Sequence, residues 1–372
     1  MPPRHLYVHV PFCARRCSYC DFSIAVRRVV PVAEYVGALA RELALRASAD
    51  AAWELDTLYF GGGTPSRLGA EGVAHTLDAL RERVRLAPGA EVTLEANPDD
   101  VTPEAARAWQ AAGVNRLSIG SQSFDEGVLR WMHRSHGADQ IERAVAAARD
   151  AGIHNLSLDL IFALPAALER DWRRDLERTL ALAPSHVSLY GLTVEPGTPL
   201  GRWRDRGAVQ EAPEESYERD FLLAHELLAA AGYEHYEVSN YALPGARSRH
   251  NSVYWSGASY EGLGPSAHAY DGRTRRWNVA PYAAWVRRLE GDGDPTEDFE
   301  VLTEEQREAE RVYLGLRTTA GLPVEPSMAA RVARWEREGW AGVREGRVRL
   351  TPLGWLRLDA LTSDLTSAGS RS

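Results

Sequence analysis

Lysine is missing from this chain: all 43 basic residues are arginine. That excludes Schiff-base and P-loop lysine chemistry and otherwise reads as a compositional bias. Cysteine is nearly missing, with three in 372 residues. All three lie within eight positions, as Cys13-Ala-Arg-Arg-Cys17-Ser-Tyr-Cys20. An odd number so closely spaced excludes an intramolecular disulfide framework. No run of about 18 apolar residues occurs, so no membrane span is expected, although peripheral contact stays open. The N-terminus lacks the apolar stretch of an export signal. A cytoplasmic protein is expected, in keeping with reduced thiols. Excess positive charge is also lacking: the formal charge is −9, which argues against a general polyanion binder and a nucleic-acid partner.

What is present is enough for a sizeable core. The chain is 44% apolar, has 11 Trp, and is long enough for two domains. Short apolar runs at 6–10, 57–60, 91–95, 116–120, 156–161 and 186–192 read as strands, with helical patterns between them. Ile141, Ala144, Val145 and Ala148 share one helical face. Thr102 as N-cap, Pro103 at the first helical position and Gly113 as terminator bound another helix. Six β/α units predict an α/β fold, a partial (β/α)6 barrel over 1–235, with a doubly wound sheet as the alternative. Residues 196–216 read as a connection and 290–300 as an acidic linker, with a β-rich connection over 236–290. A capping box, Thr303-Glu-Glu-Gln306, opens a module over 300–365. A wing strand at 346–351 and a last helix from Pro352 make it winged-helix-like. Residues 303–361 hold ten Arg against nine Asp plus Glu, no footprint for nucleic acid. The tail from Thr362 reads as disordered.

Three thiols on one strand-to-helix loop point to a metal or cluster, with ligands Cys13, Cys17 and Cys20. A four-iron cluster held by three thiolates keeps one iron without a protein ligand. A structural Cys3His zinc site using His9 is the alternative, but His9 lies in a strand run that fixes its ring direction. Further candidates fall at the carboxyl ends of the strands, where parallel barrels carry their chemistry. Gly61-Gly62-Gly63-Thr64-Pro65 allows close backbone approach to a ligand. Glu95-Ala-Asn97-Pro98 ends the third strand. Gln122 follows the fourth, Arg134 lies on the next helix, and Asp159 sits between two strand leucines, where a charge needs a partner or a solvated pocket.

The triplet after an N-terminal strand, with an aromatic before its last cysteine, resembles the signature of radical S-adenosylmethionine (SAM) proteins. The resemblance implies that the open iron of a [4Fe-4S] cluster chelates SAM. Reduction then cleaves the sulfonium to a 5′-deoxyadenosyl radical. The series Tyr7-x-His9-x-Pro-Phe-Cys13, GGGTPS, EANP, SQSF, Arg134 and DLIFALP resembles the oxygen-independent coproporphyrinogen III oxidase branch, along nearly the whole chain. It implies SAM-site roles for Tyr7, Gly62, Thr64 and Glu95. Tyr19, Gly63, Gln122, Arg134 and Asp159 would lie near SAM or at the second SAM position proposed for the oxidases.

Three departures separate the chain from true oxidases. No further cysteine follows the triplet at Asp21-Phe22, and only 12 residues precede Cys13. The run His250-Asn251-Ser-Val-Tyr254-Trp255 resembles the signature of the heme chaperones of this branch, the HemW type. It makes His250 an axial donor to heme iron, with Asn251 beside it and Tyr254 and Trp255 as flat apolar faces. Arg247 and Arg249 are candidates for the propionates. A core histidine packed beside aromatics is the competing reading. The expected function is a heme chaperone with a [4Fe-4S] cluster, SAM and heme. Its partners would be heme-accepting proteins such as respiratory cytochromes, and its state monomer or homodimer. No catalytic residue is assigned, and enzymatic turnover stays open. The alternatives are oxidative decarboxylation of coproporphyrinogen III and a related radical methyltransferase or cyclopropanase.

Overall fold

Six parallel strands follow one another in sequence and in space in the computed structural model, which describes residues 2–48, 52–291 and 293–366. They are β1 (His5–Val10), β2 (Trp53–Gly62), β3 (Val84–Ala96), β4 (Arg116–Gln122), β5 (Asn155–Phe162) and β6 (His186–Gly191). Each pairs in parallel with the next. The order never reverses, so the sheet is singly wound and the doubly wound alternative is not formed. The two edge strands of the sheet do not pair with each other among the described residues.

The two-residue period of the strands separates two kinds of side chain. Leu6, Val8, Leu58, Phe60, Val92, Leu94, Leu117, Ile119, Leu156, Leu158, Leu160 and Val187 are almost fully buried. They belong to the apolar core beneath the helices. The alternate positions are polar and face inward: Thr57, Tyr59, Glu91, Glu95, Arg116, Ser118, Ser157, Asp159, His186 and Ser188. Of these, Glu95, Ser118 and Asp159 line the cavity at the strand ends.

The helices form where their signals lie. Thr102 Oγ1 accepts from the Ala105 amide at 3.1 Å, Pro103 opens the helix Pro103–Ala112, and Gly113 ends it at φ 110°. Ile141, Ala144, Val145 and Ala148 are all buried. The capping box closes in both directions, Thr303 N to Gln306 Oε1 at 2.8 Å and Gln306 N to Thr303 Oγ1 at 3.2 Å.

The segment expected as a connection supplies both edges of the main sheet. β7 (Glu234–Glu237) and β8 (Asn240–Ala242) add antiparallel pairs beside β6, whereas β9 (Glu261–Leu263) lies parallel to β1. Between β8 and β9 the run at 250–255 is helical, Arg249–Ser256, capped by Ser248. Three expectations need correction. The acidic linker ends in a strand, Thr296–Val301, which pairs with Thr274–Asn278 through backbone bonds that composition does not reveal. The connection at 196–216 contains a helix, Pro199–Asp205, capped by Thr198. The tail stays helical through Leu358–Thr366 because Leu358, Leu361 and Leu365 reach the core, and residues 367–372 lie outside the described residues. Ala341–Arg344 and Arg347–Leu350 form the wing hairpin. The apolar core runs without a break from the barrel into the C-terminal helices through Val312, Leu316 and Trp335. No helix among the described residues is long and apolar enough to cross a membrane.

Candidate functional site

The cysteine loop leaves the end of β1 and is tied down by its backbone. Ala25 N donates to Pro11 O at 2.7 Å and Arg27 N to Cys13 O at 2.9 Å. Ser18 N reaches Met132 O at 3.1 Å, and Leu200 N reaches Ser18 O at 2.8 Å. All three cysteines line one cavity of about 420 Å³ at the carboxyl ends of the strands. Cys13 Sγ shares a hydrogen bond with Thr64 Oγ1 at 3.4 Å, and Arg134 Nη1 donates to Cys17 Sγ at 3.4 Å. Burial pushes the Cys13 thiol up to about 11 and raises Cys20. A bare loop therefore keeps these thiols protonated, and a metal must displace the protons to bind.

Iron–sulfur ligation fits these residues better than zinc does. Among the described residues no three His, Cys, Asp or Glu side chains gather tightly enough for one metal ion. His9 is committed elsewhere: one ring nitrogen shares a hydrogen bond with Tyr7 Oη at 3.2 Å and the other with Ser23 O at 3.2 Å. The Cys3His alternative is thus not formed. All three thiols line the one cavity.

Around the cysteines the cavity gathers Tyr19, Gly62, Gly63, Thr64, Glu95, Gln122, Arg134 and Asp159. Two of the glycines are required by space. A Cβ on Gly62, at φ 111°, would lie 2.6 Å from the His9 ring, and one on Gly63 would lie 2.7 Å from Pro11 O and 3.0 Å from Cys13 Sγ. Glu95 accepts from Tyr59 Oη at 2.7 Å and from the Gly62 amide at 3.2 Å. Burial pushes its carboxyl up to about 7, against the pull of the Tyr59 bond. Burial also raises Asp159, which accepts from Ser118 Oγ at 3.0 Å and Ser157 Oγ at 3.0 Å. Arg134 donates to Gly120 O at 2.8 Å and to Asn97 Oδ1. Gln122 holds a left-handed backbone, φ 65°, at the end of β4. Tyr7 lies one layer back, stacked on Tyr59 at 6.1 Å, and does not line the cavity.

The run His250–Trp255 does not meet the cavity. His250 is fully buried, with Nδ1 sharing a hydrogen bond with Thr57 Oγ1 at 2.7 Å and Nε2 one with Tyr254 Oη at 2.9 Å. Its ring stacks on Tyr59 at 5.0 Å and 25°. Burial lowers its pKa to about 3, so the ring is neutral. The Arg249 and His250 amides donate to the two oxygens of Glu91, each at 3.0 Å. Both ring nitrogens are engaged, as the competing reading of a packed core histidine expects. Tyr254 is held between His250 and Tyr260. Asn251 forms the first helical turn, its amide bonded to Ser248 Oγ at 3.3 Å. Trp255 lies under the Arg317 guanidinium, 4.1 Å away. Arg247 pairs with Glu234 at 2.9 Å and Arg249 with Gly89 O at 2.7 Å, both apart from the His250 ring.

Sequence reasoning missed Tyr59, Thr57, Glu91 and Ser118. Strand alternation carries the missing signal, since Tyr59 falls in register with Gly61 and Ser118 with Gly120. Arg116 was missed as well; it is almost fully buried, with Nε and Nη1 unpartnered.

Residues 7–179 match the Radical SAM superfamily. The chain is 38% identical to the heme chaperone HemW of Mycobacterium tuberculosis, covering 98% of this chain and 95% of that one. It is 36% identical to HemW of Bacillus subtilis, covering 85% and 84%. With HemW of Escherichia coli the identity is 40%, covering 74% and 73%. The solved coproporphyrinogen III oxidase HemN of Escherichia coli, a radical SAM enzyme, superposes with a TM-score of 0.82 at 23% identity, covering 99% of this chain and 91% of that one. That likeness concerns the fold alone.

Proposed function

Because the chain belongs to the radical SAM superfamily, among the HemN-like proteins that include the heme chaperones HemW, we propose that it is a heme chaperone. It binds heme and delivers it to acceptor proteins, respiratory cytochromes in the first place, from the cytoplasm. The observation that carries this reading is the match to HemW along nearly the whole chain.

Cys13, Cys17 and Cys20 would hold a [4Fe-4S] cluster whose open iron binds SAM and supplies reductive cleavage chemistry when reduced. The chain's own residues shape the remaining site. Gly62 and Gly63 admit a ligand close to the backbone, and Thr64 steadies Cys13. Glu95, with capacity left on both oxygens, accepts hydrogen bonds from hydroxyl groups. Arg134 places positive charge beside Cys17. Tyr19, Gln122 and Asp159 line the same cavity, and Tyr7 supports Tyr59 and through it Glu95.

The test uses purified, cluster-loaded protein. Titration with hemin should give a saturable Soret band, and an apo-cytochrome added afterwards should take up the heme. The competing enzyme reading predicts otherwise. Sustained formation of protoporphyrinogen IX from coproporphyrinogen III, under anaerobic conditions with SAM and reductant, would overturn the chaperone reading.

A further inference from the structure

Arg116, on β4, is almost fully buried, and neither its Nε nor its Nη1 has a hydrogen-bond partner. Resting on the SAM reading above, we propose that Arg116 is a positioning residue of the SAM site: its buried charge draws Glu95 and Asp159 towards the ionised form that accepts hydrogen bonds.

A structural arginine in this fold is bonded. Arg170, whose side chain is also buried, donates from Nε to Asp175 Oδ2 at 2.8 Å and from Nη1 to Ile161 O at 2.7 Å. Arg116 makes no ion pair and no hydrogen bond among the described residues, although burying an unpaired charge is costly. What offsets that cost is Coulomb attraction to carboxylates beyond contact range, which a protein interior screens less than water does.

Strand register places that charge beneath the cavity. Arg116 is in register with Thr93 on β3. Ser118, the next inward position of β4, is in register with Glu95 and donates to Asp159 Oδ2 at 3.0 Å. The groups facing Glu95 come from five neighbouring strands and one helix: Tyr7, Tyr59 with the Gly62 amide, Arg116, Asp159, Tyr190 and Tyr254. Arg116 is the one cation among them. Burial pushes the Glu95 carboxyl up to about 7, while the Tyr59 bond, the Gly62 amide and Arg116 act against it and Asp159 adds to it. Burial raises Asp159 too, against bonds from Ser188, Ser118 and Ser157 and the charge of Arg116. Arg116 is thus the one of these groups that favours the ionised form of both carboxyls.

The test is calorimetric titration of SAM into the full-length, cluster-loaded protein across a pH series from 5.5 to 9. Arg116→Met fills the space without a charge, and Arg116→Lys keeps one. In the parent, affinity should rise through about pH 7, where Glu95 ionises. In Arg116→Met the rise should lie about one pH unit higher, which makes SAM about fivefold weaker near pH 7 and leaves it parent-like near pH 9. Arg116→Lys should keep the parent midpoint. An Arg116→Met profile that overlays the parent's would overturn the proposal, and so would one lowered equally at every pH, which is what a purely structural arginine gives. An Arg116→Lys midpoint displaced upward would count against it in the same way. A flat parent profile, or a parent that takes up no SAM, is a different failure: it removes Glu95 from the SAM site, and the role of Arg116 goes with it.

Discussion

The cysteine loop and the helix Arg249–Ser256 are the two stretches whose residue types promise chemistry, and the fold treats them in opposite ways. In the loop the backbone is bonded at both ends while the thiols face a cavity with coordinating capacity unspent. In the helix the side chains are spent on one another: His250 on Thr57 and Tyr254, and the helix amides on Glu91. A motif residue with free lone pairs at a cavity is a ligand candidate. One with every nitrogen engaged holds other residues in place.

The largest effect should come from the loop. Cys17→Ala is expected to lose the cluster, read as iron content and visible absorbance, while the melting temperature of the metal-free protein barely changes. A large drop in that melting temperature would mean the loop is scaffold as well as ligand set.

The helix should behave in the reverse way. His250→Ala leaves Thr57 and Tyr254 without their buried partner and removes the ring stacked on Tyr59. Its expected cost is about 2–4 kcal/mol of unfolding free energy, with iron content as in the parent. Urea denaturation and an iron assay on the same sample separate the two effects. An iron-free but stable variant would break the contrast.

Between these two regions lies Tyr59, which touches His250 on one side and Glu95 on the other. Tyr59→Phe deletes the bond to Glu95 and should weaken SAM about 5–10-fold, as loss of one buried hydrogen bond to a carboxylate does. Glu95 titrates near 7, and its ionised form is the better acceptor. SAM affinity should therefore rise as pH increases through 7. In Tyr59→Phe that rise should move to higher pH, because the bond that pulled the pKa down is gone. A calorimetric pH series that is flat in both proteins would remove Glu95 from the SAM site.

Much of this was legible from the chain itself. The six strands and the gathering of Cys13, Cys17, Cys20, Gly62, Gly63, Thr64, Glu95 and Asp159 at the strand ends are local signals, each readable within a few positions. The surroundings of His250 were not legible because its partners are remote: Thr57 lies 193 positions earlier and Glu91 lies 159 positions before it. Tyr59 sits in an apolar run and looks like core until strand alternation turns it inward. Thr296–Val301 looked like linker because an exposed strand pairs through its backbone, whatever its side chains are.

The smallest expected effect sharpens the idea of a spent side chain. Glu42, on the helix Val32–Arg46, is fully buried and accepts from the Gly264 amide at 2.8 Å, from Trp285 Nε1 at 2.9 Å and from Asn278 Nδ2. It fastens that helix to the segment beyond β9, and like His250 it does not line the cavity. Unlike His250, it titrates near neutrality, because burial pushes its carboxyl up to about 7 against the pull of those three donors and Arg46. The folded state therefore holds a proton that the unfolded chain releases above its ordinary value of 4.5. Stability from this group is complete below 4.5 and is lost as pH rises through 7. The unfolding free energy should fall across that window, and Glu42→Gln, which cannot titrate, should remove this component while lowering stability at every pH. Chemical denaturation at pH 5, 6, 7 and 8 measures both; an undiminished slope in the variant would assign the pH dependence to another group.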